Sequence, residues 1–466
     1  MNTTLQHDHD QFDELLTVTK NWCAQYLQKL ESLPVHIAMP VEKGMHLPVE
    51  GAGAAKVFEA FLQQYGAYIS GNAGARYLGF VTGGTTPAAL MGDWLTSVID
   101  MNGSSMEAPS MSIEQQTISF LQELFGLPPA FTGAFVSGAT MANFTGLAVA
   151  REWWGEQHGV NISDDGLHSA PPVKIISCKP HSSAVKSLSM LGLGRNSFVQ
   201  IPTLPNREAI DVQALSEYIQ QHPAKAYIIA ASAATVNTAD FDDIQALVAL
   251  KKHHNIYIHL DAAFGGFAAC SDRFKHLLKG WESVDSITVD AHKWMNVPYD
   301  SALIFSKHPS LQLQIFKNIG AAYLGDPSKQ FSYTNYGPEN SRRLRALPAW
   351  FSLMAYGKSG YAHIVENNVD LAKAMGKQIQ ESEQFELLSP VHLNTVCFTL
   401  KNTRGELSKT VKIFLQTLNK EGKVFITATE FAGKPAMRAA FVNWRTTQQD
   451  LDIVMHALHE VYAKTS

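Results

Sequence analysis

Cysteine is scarce in this chain: four thiols, Cys23, Cys178, Cys270 and Cys397, are scattered over 466 residues with no C-x-x-C pair. That spacing excludes a disulfide framework and a thiolate zinc site, and it suits a reducing compartment. A strong charge of one sign is lacking too. Thirty-seven basic residues against 42 acidic ones leave a net charge of −5, so no basic field points to nucleic acid as a main partner. Only SRRLRALPAW (residues 341–350) is densely basic. No apolar run reaches the roughly 18 residues a membrane helix needs. The opening residues MNTTLQHDHDQFDELL are polar and acidic rather than basic and then apolar, as a signal sequence would be. A cytoplasmic protein with no membrane or nucleic-acid partner is expected. The nucleophile elbow G-x-S-x-G of a serine hydrolase is absent as well. His253, His254, His259 and His292, with Asp261, have no compact ligand spacing such as H-E-x-x-H, so no metal is expected.

What is present is material for a large core, with 45% hydrophobic and 17% charged residues, enough for more than one soluble domain. Residues 10–33 read as an amphipathic helix ending near Pro34, followed by a proline-broken arm. SIEQQTISFLQELFGLP opens with a Ser-x-x-Gln pattern that caps a helix, here from Ser112. Strands and helices then alternate. AFVSGATMANFTGLAVAREWW is a strand turning into a helix, VKIISC a strand before the helix HSSAVKSLSMLGLG, and AYIIAASAAT and IYIHLDAAFGG are buried strands. DRFKHLLKGW reads as a helical crossover to the strand SITVDA. Such alternation predicts right-handed βαβ units around a mostly parallel sheet flanked by helices, an α/β class. Past Trp350 long helices with the strands NTVCFTL and AMRAAFVNW suggest a small C-terminal α+β domain. The expected division is a helical segment 1–70, a large α/β domain 71–345 and a small domain 346–466.

Ligands in an open α/β sheet bind beyond the carboxyl ends of the strands, and four strand ends carry candidate chemistry. VSGATMAN (residues 136–143) places Ala139 and Thr140 where a helix N-terminus can hold a phosphate, although no G-K-[ST] follows it; a plain strand-to-helix turn fits equally well. CKPHSSAVKS puts His181 at a helix start, to stack on a ring or move a proton, where a structural histidine is the commoner reading. Asp261 ends an apolar strand, and a carboxylate there needs a partner. Lys293 follows the next strand, 32 residues on. An anion cradle, an imidazole, a carboxylate and a lysine are what pyridoxal 5'-phosphate requires.

HLDAAFGG followed by VDAHKW, with PHSSAVKS upstream, resembles the group II pyridoxal-phosphate amino-acid decarboxylases, a family with aromatic-amino-acid, histidine and glutamate enzymes. The likeness runs from about Gly74 to FVNWRTTQQDLD near the end of the chain. It implies the fold type I, aspartate-aminotransferase-like architecture and a homodimer. It also implies decarboxylation of a small-molecule L-amino acid to its amine and carbon dioxide, with aromatic substrates slightly favoured. By this resemblance Lys293 forms the Schiff base, Asp261 pairs with the pyridine nitrogen, His181 stacks on the ring and His292 contacts the phosphate. Ala139 and Thr140 align with the phosphate loop, and Thr235 with a threonine near the cofactor. Tyr323, in GAAYLGDP, falls where the family has a loop tyrosine that protonates Cα; phenylalanine there is associated with aldehyde-forming relatives. Phe80 and Thr82 are expected at the substrate. Three departures stand out: Asp290-Ala291 in place of Asn-Pro, Ala234-Thr235-Val236 in place of Gly-Thr-Thr, and Gly74-Ala75 in place of His-Pro. Another pyridoxal-phosphate lyase and a non-catalytic relative remain alternatives.

Overall fold

Apolar residues at consecutive positions, as in Tyr227–Ser232 and Ile256–Asp261, can only be buried on both faces of a sheet. They form the centre of a seven-stranded sheet in the computed structural model, which describes residues 2–40, 46–104, 108–319, 327, 330–403 and 405–465. Its strands are β1 (Thr132–Val136), β2 (Ile175–Ser177), β3 (Phe198–Gln200), β4 (Tyr227–Ser232), β5 (Ile256–Asp261), β6 (Ser286–Val289) and β7 (Ala302–Ser306), in the order β1-β7-β6-β5-β4-β2-β3. From β3 to β6 every pair is parallel. β7 runs against both its neighbours, β6 and β1. The mostly parallel sheet expected from the alternation is therefore present, with one strand reversed. The reversal follows from chain length: residues 290–301 hold only a one-turn helix, Ala291–Trp294, too little chain to cross back and start a parallel strand.

A second, antiparallel sheet contains β8 (Phe385–Leu387), β9 (Thr395–Leu400), β10 (Thr427–Phe431) and β11 (Lys434–Ala440), in the order β10-β11-β9-β8. It has its own core around Phe385, Phe398, Phe414 and Phe441. The long helix Ala346–Glu381, interrupted at Gly357, serves both cores. Tyr361 and Val365 pack into the first, Met375 and Ile379 into the second.

Three local expectations are corrected. The helix expected to be capped by Ser112 starts earlier, at Ser110 after Pro109, so Ser112 lies inside its first turn. The helix expected over residues 10–33 is present as Phe12–Lys29 but finishes in a 3-10 turn, Leu30–Ser32, and a separate helix Thr3–Asp10, which was not expected, precedes it. DRFKHLLKGW forms no α-helix, only the 3-10 turns Lys275–Leu278 and Trp281–Ser283. Gly280 between them has φ of 94° and lies 2.9 Å, measured from a Cβ position, from the Gln245 backbone, which fixes a sharp turn where a helix would continue.

Candidate active site

β5 and β6 are parallel with Asp261 opposite Thr288, so both strands end at the same edge of the sheet. Asp261 is the last residue of β5, and the one-turn helix after β6 carries Lys293 back over that edge. Trp294 beside it is fully buried and donates its indole N–H to Asn368 Oδ1 at 2.8 Å, which anchors the turn. A cavity of about 270 Å3 lies there, lined among others by Phe80, His181, Thr235, Asp261, Lys293 and Arg438. Lys293 Nζ is 5.6 Å from the centre of the Phe264 ring and 3.5 Å from Asp290 Oδ2.

Asp261 accepts from Asn143 Nδ2 at 2.9 Å and from the Ala263 N–H at 3.2 Å. His181 caps the helix Ser182–Met190: its Nδ1 receives the Ser183 N–H at 3.2 Å and lies 2.7 Å from Ser183 Oγ. Burial pushes its pKa below the ordinary histidine value, and the charge of Asp261 pulls the other way. Thr235 lines the cavity, but its hydroxyl donates to Glu208 Oε2 at 2.7 Å and accepts from the Asp240 N–H at 3.1 Å.

His292 stands beside the cavity-lining lysine with both ring nitrogens facing protein groups. Nδ1 receives the Ser301 N–H at 3.2 Å, and Nε2 is 3.0 Å from Asp290 Oδ1. Its ring packs on Tyr299 with centroids 4.3 Å apart. Ala139 and Thr140 open the 19-residue helix Ala139–Gln157, whose first turn has no side-chain cap. A Cβ on Gly138 would stand 3.4 Å from His292 Cε1, so this helix start and His292 are neighbours. Phe80 reaches the cavity from a segment with positive φ at both Phe80 and Val81. A Cβ on nearby Gly83 would lie only 1.7 Å from the Lys293 carbonyl oxygen, so this segment is pressed against the lysine. Thr82 is not in the cavity lining; its hydroxyl is 3.2 Å from that of Tyr299. Tyr323 lies outside the described residues.

Sequence reasoning missed Asn143, Arg438, Tyr299 and Ser301. A signal existed for two of them. Asn143 is a poor helix former in the largely small and apolar stretch ATMANFTGLAVA, and Arg438 is a lone charge in the apolar stretch AMRAAF.

The donor set suits a flat, phosphorylated aldehyde. An uncapped helix start offers N–H groups to an anion. The buried Ser301 hydroxyl has no hydrogen-bond partner among the described residues. A lysine and a carboxylate line the same cavity. Asp290 is the one group that sits poorly beside a phosphate.

Comparison with known proteins agrees with this chemistry. Residues 75–401 match the family model described as the pyridoxal-dependent decarboxylase conserved domain. The chain is 26% identical over 392 residues to the aromatic-L-amino-acid decarboxylase of Bacillus atrophaeus, covering 81% of this chain and 79% of the relative. It is 27% identical over 334 residues to the L-2,4-diaminobutyrate decarboxylase of Acinetobacter baumannii, covering 67% and 65%. Among solved structures, that of Catharanthus roseus tryptophan decarboxylase in complex with L-tryptophan superposes with a TM-score of 0.86 at 20% identity over 98% of both chains, which shows the shared fold.

Proposed function

The chain belongs to the pyridoxal-dependent decarboxylase family and is a pyridoxal-phosphate-dependent carboxy-lyase of amino acids; from that premise we propose that Lys293 is the cofactor lysine and that an L-amino acid, with aromatic ones slightly favoured, is the substrate. The observation that carries this reading is the meeting of Lys293 and Asp261 in one cavity with His181 and Arg438.

Pyridoxal phosphate, when bound, supplies the electron sink for the pair left at Cα as carbon dioxide departs. The chain's own residues do the rest. The first turn at Ala139 and Thr140, with Ser301, holds the phosphate. Asp261 provides the negative charge for the ring nitrogen, and His181 packs against the ring. Arg438 lines the cavity and donates through Nη1 to the Val236 carbonyl, and its remaining N–H groups can hold a substrate carboxylate. Phe80, Val81 and Phe264 give the cavity an apolar wall that suits an aromatic side chain. Tyr323 or His181 returns the proton to Cα. A homodimer in the cytoplasm is part of the same proposal, with size-exclusion light scattering as its check; among the described residues no helix is long and apolar enough to cross a membrane.

Borohydride reduction of the loaded protein followed by peptide mass spectrometry should place the pyridoxyl group on Lys293; labelling of another lysine would sink the assignment. A carbon dioxide release screen over the common L-amino acids then identifies the substrate. Amine and carbon dioxide in equal amounts without oxygen uptake are expected, and aldehyde as the product would show an aldehyde-forming enzyme instead. Tyr323→Phe should shift product toward aldehyde while the cofactor stays bound; an unchanged product counts against the tyrosine as proton donor.

A further inference from the structure

Asp261 and His181, which approach the cavity from different elements, are joined through a single buried amide. Asn143, in the second turn of helix Ala139–Gln157, is fully buried. Its Nδ2 donates to Asp261 Oδ2 at 2.9 Å and to Ser183 Oγ at 3.0 Å. Its Oδ1 accepts from Thr288 Oγ1 at 2.8 Å and meets His259 Nε2 at 2.9 Å. The chain continues at both ends: Ser183 Oγ to His181 Nδ1 at 2.7 Å, and His259 Nδ1 to Ser286 Oγ at 2.8 Å.

The chemistry of the amide gives this chain one direction. An amide oxygen only accepts, so His259 carries its proton on Nε2, and its bare Nδ1 takes the Ser286 hydroxyl proton. Burial lowers the His259 pKa to about 4, in keeping with a neutral ring. At the other end Asn143 spends one N–H on Asp261 and one on Ser183. The Ser183 oxygen therefore accepts, and its own proton goes to His181 Nδ1, which also receives the Ser183 N–H. His181 is left with its proton on Nε2. Asp261 receives an N–H on each of its oxygens, from Asn143 and from Ala263. A flipped amide would set its oxygen against the Asp261 carboxylate, acceptor against acceptor at 2.9 Å, so the Asp261 contact fixes the orientation and Thr288 and His259 follow it.

We propose that Asn143 is a positioning residue that, through one side-chain amide, orients the Asp261 carboxylate and fixes the Nε2–H tautomer of His181. The proposal rests on the reading of these two residues as the groups that flank the cofactor ring.

Nitrogen-15 NMR of the histidine-labelled full-length protein reads the tautomer directly. Wild-type His181 should show a bare Nδ1 and a protonated Nε2, and Ser183→Ala should move the Nδ1 shift by removing the 2.7 Å bond. Asn143→Ala should move that shift as well and weaken pyridoxal phosphate binding roughly tenfold or more, the loss expected for a hydrogen bond to a charged group. Ser183→Ala keeps the Asp261 bond and should weaken the cofactor less. Asn143→Ser, with a hydroxyl in the same turn, serves if the alanine variant does not fold, with the same expectations. A wild-type His181 protonated on Nδ1, or a folded Asn143 variant with wild-type cofactor affinity, overturns the proposal. If the wild-type chain does not take up cofactor at Lys293, the functional reading fails instead, while the NMR result stands by itself.

Discussion

Asp290 turns its carboxylate on the two basic residues that follow it, with Oδ1 3.0 Å from His292 Nε2 and Oδ2 3.5 Å from Lys293 Nζ. The side chain is only 3% exposed, so its charge is held by these neighbours. Oδ1 stands at ion-pair distance from His292 without the direction of a hydrogen bond. Oδ1 is thus close to the imidazole without being anchored by a hydrogen bond. The carboxylate would oppose a phosphate bound beside His292, and it holds the lysine amine 3.5 Å away. Asp290→Asn keeps the shape and removes the charge. Its cofactor affinity should rise roughly fivefold or more, since unit charges about 4 Å apart interact by about 1 kcal/mol even in a water-like medium. Fluorescence titration with pyridoxal phosphate measures this. Weaker binding by the variant would show that the carboxylate's hold on Lys293 and His292 helps the site more than its repulsion harms it.

Arg438 reaches the cavity from β11, in the second sheet, and burial pushes its pKa below the ordinary guanidinium value. A cation held at that desolvation cost gains from an anionic ligand. Arg438→Met should reduce kcat/KM by roughly 10- to 100-fold, the equivalent of about 1.5–3 kcal/mol for a charged hydrogen bond, chiefly through KM. The visible absorbance of the bound cofactor should remain. Steady-state kinetics with the substrate found in the release screen decide it; an unchanged KM would remove Arg438 from the substrate site.

SRRLRALPAW is the one basic cluster of the chain, and two of its arginines are buried rather than solvated. Arg342 makes contacts of 3.0 and 2.8 Å with the Glu114 carboxylate, with the two side chains 3% and 0% exposed. Arg345 is held between Asp300 and Glu339. Removing one partner of a buried pair leaves a bare charge. Arg342→Met should therefore cost about 3–5 kcal/mol in denaturant unfolding, and the double variant Glu114→Leu/Arg342→Met should recover most of that loss. Additive losses in the double variant would mean that the two side chains do not stabilise one another.

Local pattern carried much of this structure. The strands β4, β5 and β6 are buried at every position but Asp261 and rich in apolar residues, and their ends could be read as an edge at which Asp261 and Lys293 meet. Contacts made at long range could not be read in that way. Asn143 and Asp261 are 118 residues apart in sequence, and Arg438 and Val236 are 202 apart. Nothing local to either residue names its partner. β3 is only three residues long and partly exposed, so it has no periodic signal. DRFKHLLKGW misled because Phe274 and Leu278 are both buried at helical spacing, whereas the glycine turn at Gly280 decides the backbone. The role expected of Thr235 rested on resemblance, and its hydroxyl is bonded to Glu208.

His259 lies at the far end of the Asn143 network and offers a pH test of it. Its folded pKa is lowered to about 4 by burial, against about 6.5 in an unfolded chain. Between these values the unfolded state binds a proton that the folded state refuses. The stability contributed by the neutral ring is therefore complete above about pH 6.5 and is lost as pH falls toward 4, by up to about 3 kcal/mol. Buried Asp242, raised to about 6, acts with the opposite sign over much of the same range, so the useful quantity is the difference between wild type and variant. His259→Gln keeps a polar group on Asn143 and does not titrate. Its stability deficit in urea unfolding should be largest at pH 7.5 and shrink clearly at pH 5, because only the wild type loses the histidine contribution on acidification. A deficit that is the same at both pH values would show that the fold does not lower the His259 pKa, and the neutral ring assigned to this end of the network would fall with it.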